Sequence, residues 1–506
     1  MRLSYSLLSV YRSSVARSIV VGLSLGVLLL AVFGGCSNSS PPTSPPGKAP
    51  PPPPPPPTET TVADVAQTSA TAEIPIPAWA GQQASEPFPV RQFLESRAGS
   101  ADNAAPLYLA ALAEISPSMY VSNPPASWPW DNTRIPDRVR DLSQAISNLG
   151  DRDKLLQGSV SEAEVESLLA KAQPALKKLD EAQQKPRCVF LAGMKIWSQL
   201  PHSHAGLAFA RLASVQLFHA HAKGNFGDAE QAIQRILRLS RDLRPRGMMV
   251  NQLVSINLDS AALNGITDFT LGQKGLTAKD CDRLLALLTE QEREAASCAD
   301  EGLRMEYVTM RNTLHILQQR GMSPQEFANL VASEGITSDA RSLEQRLAQV
   351  DWQNEISAFD TAFAGVIALA ATPNDTARIK QWNEDDIAKV KAKNAFVALI
   401  LLPNVDAFLG AVVRHQAQLA GVECLTAVRR YALKHGSLPE DLEVAAKEVG
   451  LKAVPTDPYS GGPMHYKIID GKPVVYSVGS DGKDDGGTVD WNYGKQPGDF
   501  IFRIRD

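Results

Sequence analysis

The chain has 506 residues, 44% of them apolar, and a formal net charge of −5. That much apolar material can fill a core of domain size, and the mildly acidic balance gives no basic stripe on which nucleic-acid binding would rest. Its five cysteines show no C-x-x-C spacing, which excludes a zinc ribbon.

Arg2, Arg12 and Arg17 precede an apolar run from Ile19 to Phe33, whose one polar residue is Ser24, and Gly34-Gly35-Cys36-Ser37 follows. A run of about fifteen residues falls short of the ~20 that a membrane-spanning helix needs, so residues 1–35 read as a signal peptide. The small residues ahead of Cys36 resemble a lipoprotein processing site. That resemblance implies a lipid on Cys36, with an uncleaved amino-terminal anchor as the alternative. The membrane is then an expected partner and the cell envelope the expected location. Residues 1–35 carry three arginines and no acid, so their removal takes the net charge from −5 to −8.

Residues 36–100 read as a tether. Ser37 to Thr60 is mostly Ser, Pro, Thr and Gly, and the unbroken run Pro50 to Pro57 enforces an extended polyproline conformation at about 3.1 Å per residue.

From 101 to 410 the hydrophobic period is helical, punctuated by Pro201, Gly224, Pro245, Gly275, Pro324, Gly335 and Pro373. LFHAHAKGNFGDAEQAIQRILRLSRDL reads as helix, Gly-containing turn, helix, and resembles a tetratricopeptide hairpin. No period is sustained, so the expectation is an irregular α-helical array. Asn394 to Val413 is apolar, but Pro403, Asn404 and Asp406 interrupt it, which predicts a buried helix pair broken at Pro403 rather than a membrane span. Cys188, Cys281, Cys298 and Cys424 are expected mostly as buried thiols, with one bridge through Cys188 or Cys424 as the alternative. His202, His204, His219 and His221 read as capping and packing residues, because side chains two apart on a helix diverge. H-E-x-x-H, G-x-S-x-G, P-loop and dinucleotide fingerprints do not occur.

Residues 411–506 carry the most legible pattern. A helix through Glu423 should stop at Gly436, and Ser437 with Glu440 three residues on forms a capping box for a second helix ending near Gly450. Asp470-Gly471 predicts the tight turn of a hairpin, with Pro473 at a strand start or edge. Beyond Ser477 come Asp481, Asp484, Asp485, Asp490 and Asp499 among glycines. The bland reading is a solvated acidic loop; the chemical one is a calcium site, since hard cations want carboxylate and carbonyl oxygens on a bendable chain.

The order of these parts, with YSVGSDG and GDFIF, resembles the carboxy-terminal domain of the type II secretion major pseudopilins (protein G). DNAAPLYLAAL and LPHSHAGLAFARLAS resemble a group of large exported proteins of the Planctomycetes in which a helical region precedes such a tail. The pseudopilin resemblance implies a structural Ca2+ held by Asp481 and Asp499, with Asp484 or Asp485 and the carbonyl of Val478 completing its shell. Gly498 stands where the family has an acidic residue, and the acidic loop is longer here. The expected fold is therefore mainly α: a tetratricopeptide-like helical array and a small α+β pseudopilin-like module. The expected function is a non-catalytic envelope lipoprotein that binds envelope or secretion-system proteins. An exported hydrolase using carboxylates such as Asp300, Glu301 and Glu306, or a component of a secretion or pilus-like assembly, are the alternatives.

Overall fold

The computed structural model describes residues 76–97, 102–120, 135–190, 194, 200–319, 345–491 and 496–505. The leader, Cys36 and the proline run lie outside the described residues. The chain divides into two units, Met1–Thr68 with Met322–Val350 and Ser69–Gly321 with Asp351–Asp506, and every element named below belongs to the second.

That unit is mainly helical and carries one small antiparallel sheet. The helices are α1 (Val90–Glu95), α2 (Ala105–Ala113), α3 (Asp137–Leu149), α4 (Arg152–Leu156), α5 (Glu162–Gln183), α6 (Pro201–Lys223) and α7 (Phe226–Leu243). There follow α8 (Met249–Gly265), α9 (Ala278–Ala295), α10 (Cys298–Gln318), α11 (Trp352–Leu369), α12 (Thr376–Ala392), α13 (Phe396–Leu401), α14 (Val405–His435) and α15 (Leu442–Glu448). The punctuation sets many of these boundaries. Pro201 occupies the first turn of α6, where its missing N–H costs nothing, and Gly224 ends that helix at φ 64°. Asn225 then caps α7 by accepting from Asp228 N, which makes the expected helical hairpin.

Helix α8 is the hub. It packs against α6, α7, α10 and α14, and so buries Asn251, Gln252, Ser255, Asn257 and Asp259 along with its apolar residues. A helix covered on every side needs no polar face, but each buried polar side chain then needs a partner.

Helix α14 joins body and tail. Helix α13 stops before Leu402-Pro403, and Asn404 caps α14 by accepting from Ala407 N, so the apolar stretch is a helix pair broken where proline requires. The segment Phe396–His435 has the length and apolarity of a membrane span, with half of its most apolar window buried in the fold. It lies against α8, α9 and the sheet. Gly421 makes the contact with the sheet close: a Cβ built there would stand 2.2 Å from the Phe502 ring.

The sheet has order β1 (His465–Ile469), β2 (Lys472–Ser477), β3 (Phe500–Arg503). Asp470 (φ 51°) and Gly471 (φ 75°) make the β1–β2 turn as expected. Pro473 pairs with Ile468 on one side and precedes Val474, the first residue paired with β3, so its absent donor is not missed.

Three expectations need correction. The boundary placed at 410/411 falls inside α14, which runs unbroken to His435. The segment assigned to the tether as far as 100 is packed between Trp79 and Leu94: Trp79, Phe88, Val90, Phe93 and Leu94 are buried, and the rings of Trp79 and Phe88 lie edge-on to Tyr307. Finally, α15 starts at Leu442 and is capped by Asp441, which accepts from Val444 N at 2.8 Å, rather than by a box of Ser437 and Glu440.

Candidate functional site

Two places concentrate chemistry: the acidic loop between β2 and β3, and the turn between α7 and α8.

The acidic loop connects antiparallel neighbours by a long excursion, turning at Gly479, Gly482, Gly486 and Gly487, all at positive φ. Asp499 is fully buried and organises it, accepting from Asp485 N at 3.2 Å and Gly487 N at 2.7 Å. Burial, joined by the charges of Asp484 and Asp485, holds the Asp499 carboxyl above its ordinary range despite those hydrogen bonds. Asp484 accepts from Gly486 N and faces His465, whose Nδ1 is 3.7 Å away. Asp481 is exposed and accepts from Lys483 N at 3.2 Å. Asp490 is exposed too, with Arg503 at 3.9 Å. The fold thus brings Asp484, Asp485 and Asp499 near one another and leaves Asp481 apart. Among the described residues, no three His, Cys, Asp or Glu side chains are arranged to hold a metal ion. The donor chemistry suits calcium, but Asp499 already spends both oxygens on backbone amides.

Val478 is held through its amide: its N–H donates to Asp457 Oδ2 at 3.2 Å. Asp457 is the residue sequence reasoning missed. It is fully buried and also accepts from Ser477 Oγ (2.7 Å), Tyr459 N (3.0 Å) and Ser460 Oγ (3.0 Å), tying the loop before β1 to the end of β2. Its signal in the sequence was Asp-Pro-Tyr-Ser, a run of turn formers whose short polar side chains bond local backbone.

At the α7–α8 turn, three residues expected as candidates for hydrolysis are found in separate structural roles. Glu301 is buried and bound by Arg97, whose Nε lies 2.8 and 2.6 Å from its two oxygens, and by Arg246 N at 2.9 Å. Asp300 pairs with Arg304 one turn on along α10. Glu306 is buried and accepts from Met249 N at 3.3 Å; burial pushes its carboxyl up to about 7.

Arg246 is the anomaly of this turn. It is buried, takes a left-handed φ of 57°, and leaves its Nε and Nη2 without a hydrogen-bond partner among the described residues. Each unmatched buried donor costs about 1–3 kcal/mol. Burial lowers its guanidinium to about 10, the Glu301 charge opposing and the Arg97 charge assisting that shift.

Of the four histidines of α6, His202 and His221 pack, while His204 is exposed. His202 is buried, stacked on Phe190 at 4.6 Å and 3.3 Å from Asn251 Nδ2; burial, with the charge of His204, lowers it to about 3. His221 Nδ1 contacts Phe269 O at 2.5 Å. Cys188, Cys281, Cys298 and Cys424 are buried free thiols, without the alternative bridge.

A further buried cluster lies between α7, α8, α9 and α14. Asp259 receives Arg244 Nη2 at 2.5 Å and Gln291 Nε2 at 2.7 Å, and His415 Nε2 stands 2.9 Å away. Burial raises the Asp259 carboxyl, but the Arg244 charge and the hydrogen bonds of His415 and Ser240 outweigh it, leaving it below the ordinary range. No protein-family model, curated protein or solved structure matches the chain.

Proposed function

We propose that the chain is a non-catalytic lipoprotein of the cell envelope, tethered through Cys36, whose helical body and pseudopilin-like tail serve as a scaffold for other envelope or secretion-system proteins. The observation that carries this reading is the leader: an apolar run too short to span a bilayer, small residues, Cys36 and then a proline-rich tether. The consumption of Glu301 and Asp300 by arginines favours it over hydrolysis, since a general acid must be free to give up its proton. Intact-mass analysis of the membrane fraction should find the mature chain beginning at Cys36 with acyl mass attached, and Cys36→Ser should abolish that mass. A wild-type chain without lipid in that fraction overturns the tether. Recovery of no protein neighbour after crosslinking in intact envelopes overturns the scaffold.

Structural calcium in the tail belongs to the same proposal. Its support is the approach of Asp484 and Asp485 to Asp499, close enough for their charges to raise its carboxyl. Lys467, which sits over the Tyr476 ring, and Arg503, which donates to Gly487 O, already offset part of the acidic charge. A bound ion would stabilise the folded chain by about 2.7 kcal/mol at a hundredfold excess over its dissociation constant. The thermal midpoint of the mature chain should therefore rise with calcium relative to chelator, and Asp484→Ala should shrink that difference. Equal midpoints in wild type remove calcium from the proposal and leave the lipoprotein reading untouched.

A further inference from the structure

We propose that Arg97, Glu301 and Arg246 form a binding site for a small oxyanion, the carboxylate or phosphate group of a ligand. The inference goes beyond the scaffold reading and does not rest on it.

Charge balance is the first argument. Arg235, Arg244, Arg246 and Arg311 are the buried arginines among the described residues. Arg235 has Asp180, Arg244 has Asp259, and Arg311 Nε lies 3.4 Å from Asp360. Arg246 has no carboxylate of its own. The nearest, Glu301, is held by Arg97 through Nε and Nη2, and Arg246 reaches it only through its backbone N–H. Two guanidinium groups thus share one carboxylate, leaving a unit of positive charge and two buried donors, Nε and Nη2, without an acceptor. A water could accept from those donors, but it would not balance the charge. An oxyanion does both, and a guanidinium edge matches the spacing of its oxygens.

Backbone strain is the second argument. Arg246 adopts φ 57° although Gly247, which takes that conformation freely, is the next residue and is not at positive φ. Exchange of the two is barred, since a Cβ at 247 would stand 2.8 Å from both Asn251 Cβ and Leu243 O, but glycine at 246 would remove the strain. Strain held on a charged side chain is a mark of a site where that side chain must be aimed.

The test uses the mature chain with inorganic phosphate and with acetate, against chloride at matched ionic strength. At least one of the two anions should raise the thermal midpoint by a few degrees where chloride does not. Phosphate alone acting assigns phosphoryl ligands, and acetate alone assigns carboxylates. Arg246→Gly relieves the strained φ, so it should keep or raise the basal midpoint while losing the anion response. Arg246→Lys, which keeps the charge but lacks the planar fork, should bind at least about tenfold more weakly by calorimetry. Arg138→Ala, at a largely exposed arginine, should respond as wild type does. No response in wild type, or a response in Arg246→Gly equal to that of wild type, overturns the site.

Discussion

Replacing Asp259 with alanine should destabilise the protein by about 3–5 kcal/mol, the usual cost of removing one partner from a buried ion pair. Asp259 is fully buried and meets Arg244 from the end of α7, Gln291 from α9 and His415 from α14. Without it the Arg244 guanidinium would be buried with no counter-charge, and its Nε and Nη1 already lack hydrogen-bond partners. Asp259→Asn keeps the shape and one acceptor oxygen, so its loss should be smaller. The depressed carboxyl also sets a pH sign: the stability it contributes is present above the ordinary carboxylate range and is lost as pH falls through the folded-state value. Urea unfolding at neutral pH measures the first expectation. A midpoint for Asp259→Ala matching wild type would show that the cluster contributes nothing net. At acid pH, where wild type has itself protonated the group, the gap between the two proteins should close.

What the sequence showed and hid divides by range. Local rules placed the Gly436 cap, the Asp470-Gly471 turn and the break at Pro403, because each depends on the φ preferences of one or two residues. The same kind of rule failed at Ser437, where Asp441 offered a competing cap four residues nearer the helix that formed. The packed segment from Trp79 was hidden because it has no period. Its signal was compositional: Trp79, Phe88 and Phe93 are large aromatics that a solvated tether has no use for. The polar clusters were out of reach of any local rule, since Arg97 and Glu301 are 204 residues apart and Ser85 meets Asp360 across 275. For the acidic loop, sequence reasoning gave the carboxylates too uniform a role. The fold separates Asp499, buried and bound to amides, from Asp481, exposed and bound to its own turn.

Asp457→Ala should loosen the tail's hinge to the sheet and cost at least about 2 kcal/mol, because two of the four donors it orphans, those at the end of β2, are buried and each buried unmatched donor costs about 1–3 kcal/mol. The donors are Tyr459 N and Ser460 Oγ from its own loop and Ser477 Oγ and Val478 N from the end of β2. The backbone of Asp457 is engaged as well, donating to Gly462 O and accepting from Gly461 N, both at 2.8 Å, so the loop cannot shift to supply a substitute. Hydrogen bonds to an ionised acceptor are the stronger kind, and asparagine offers one oxygen and an NH2 that would face a donor. Asp457→Asn should therefore lose about half as much as the alanine variant. Hydrogen exchange at the Val478 and Tyr459 amides reads the effect locally, and both should lose protection in Asp457→Ala while α8 keeps its own. Because Asp457 stands outside the acidic loop, any calcium response should survive at temperatures where the variant is folded. Unchanged protection at Val478 would mean that β3 and α14 hold the end of β2 by themselves, through Phe502 against Gly421.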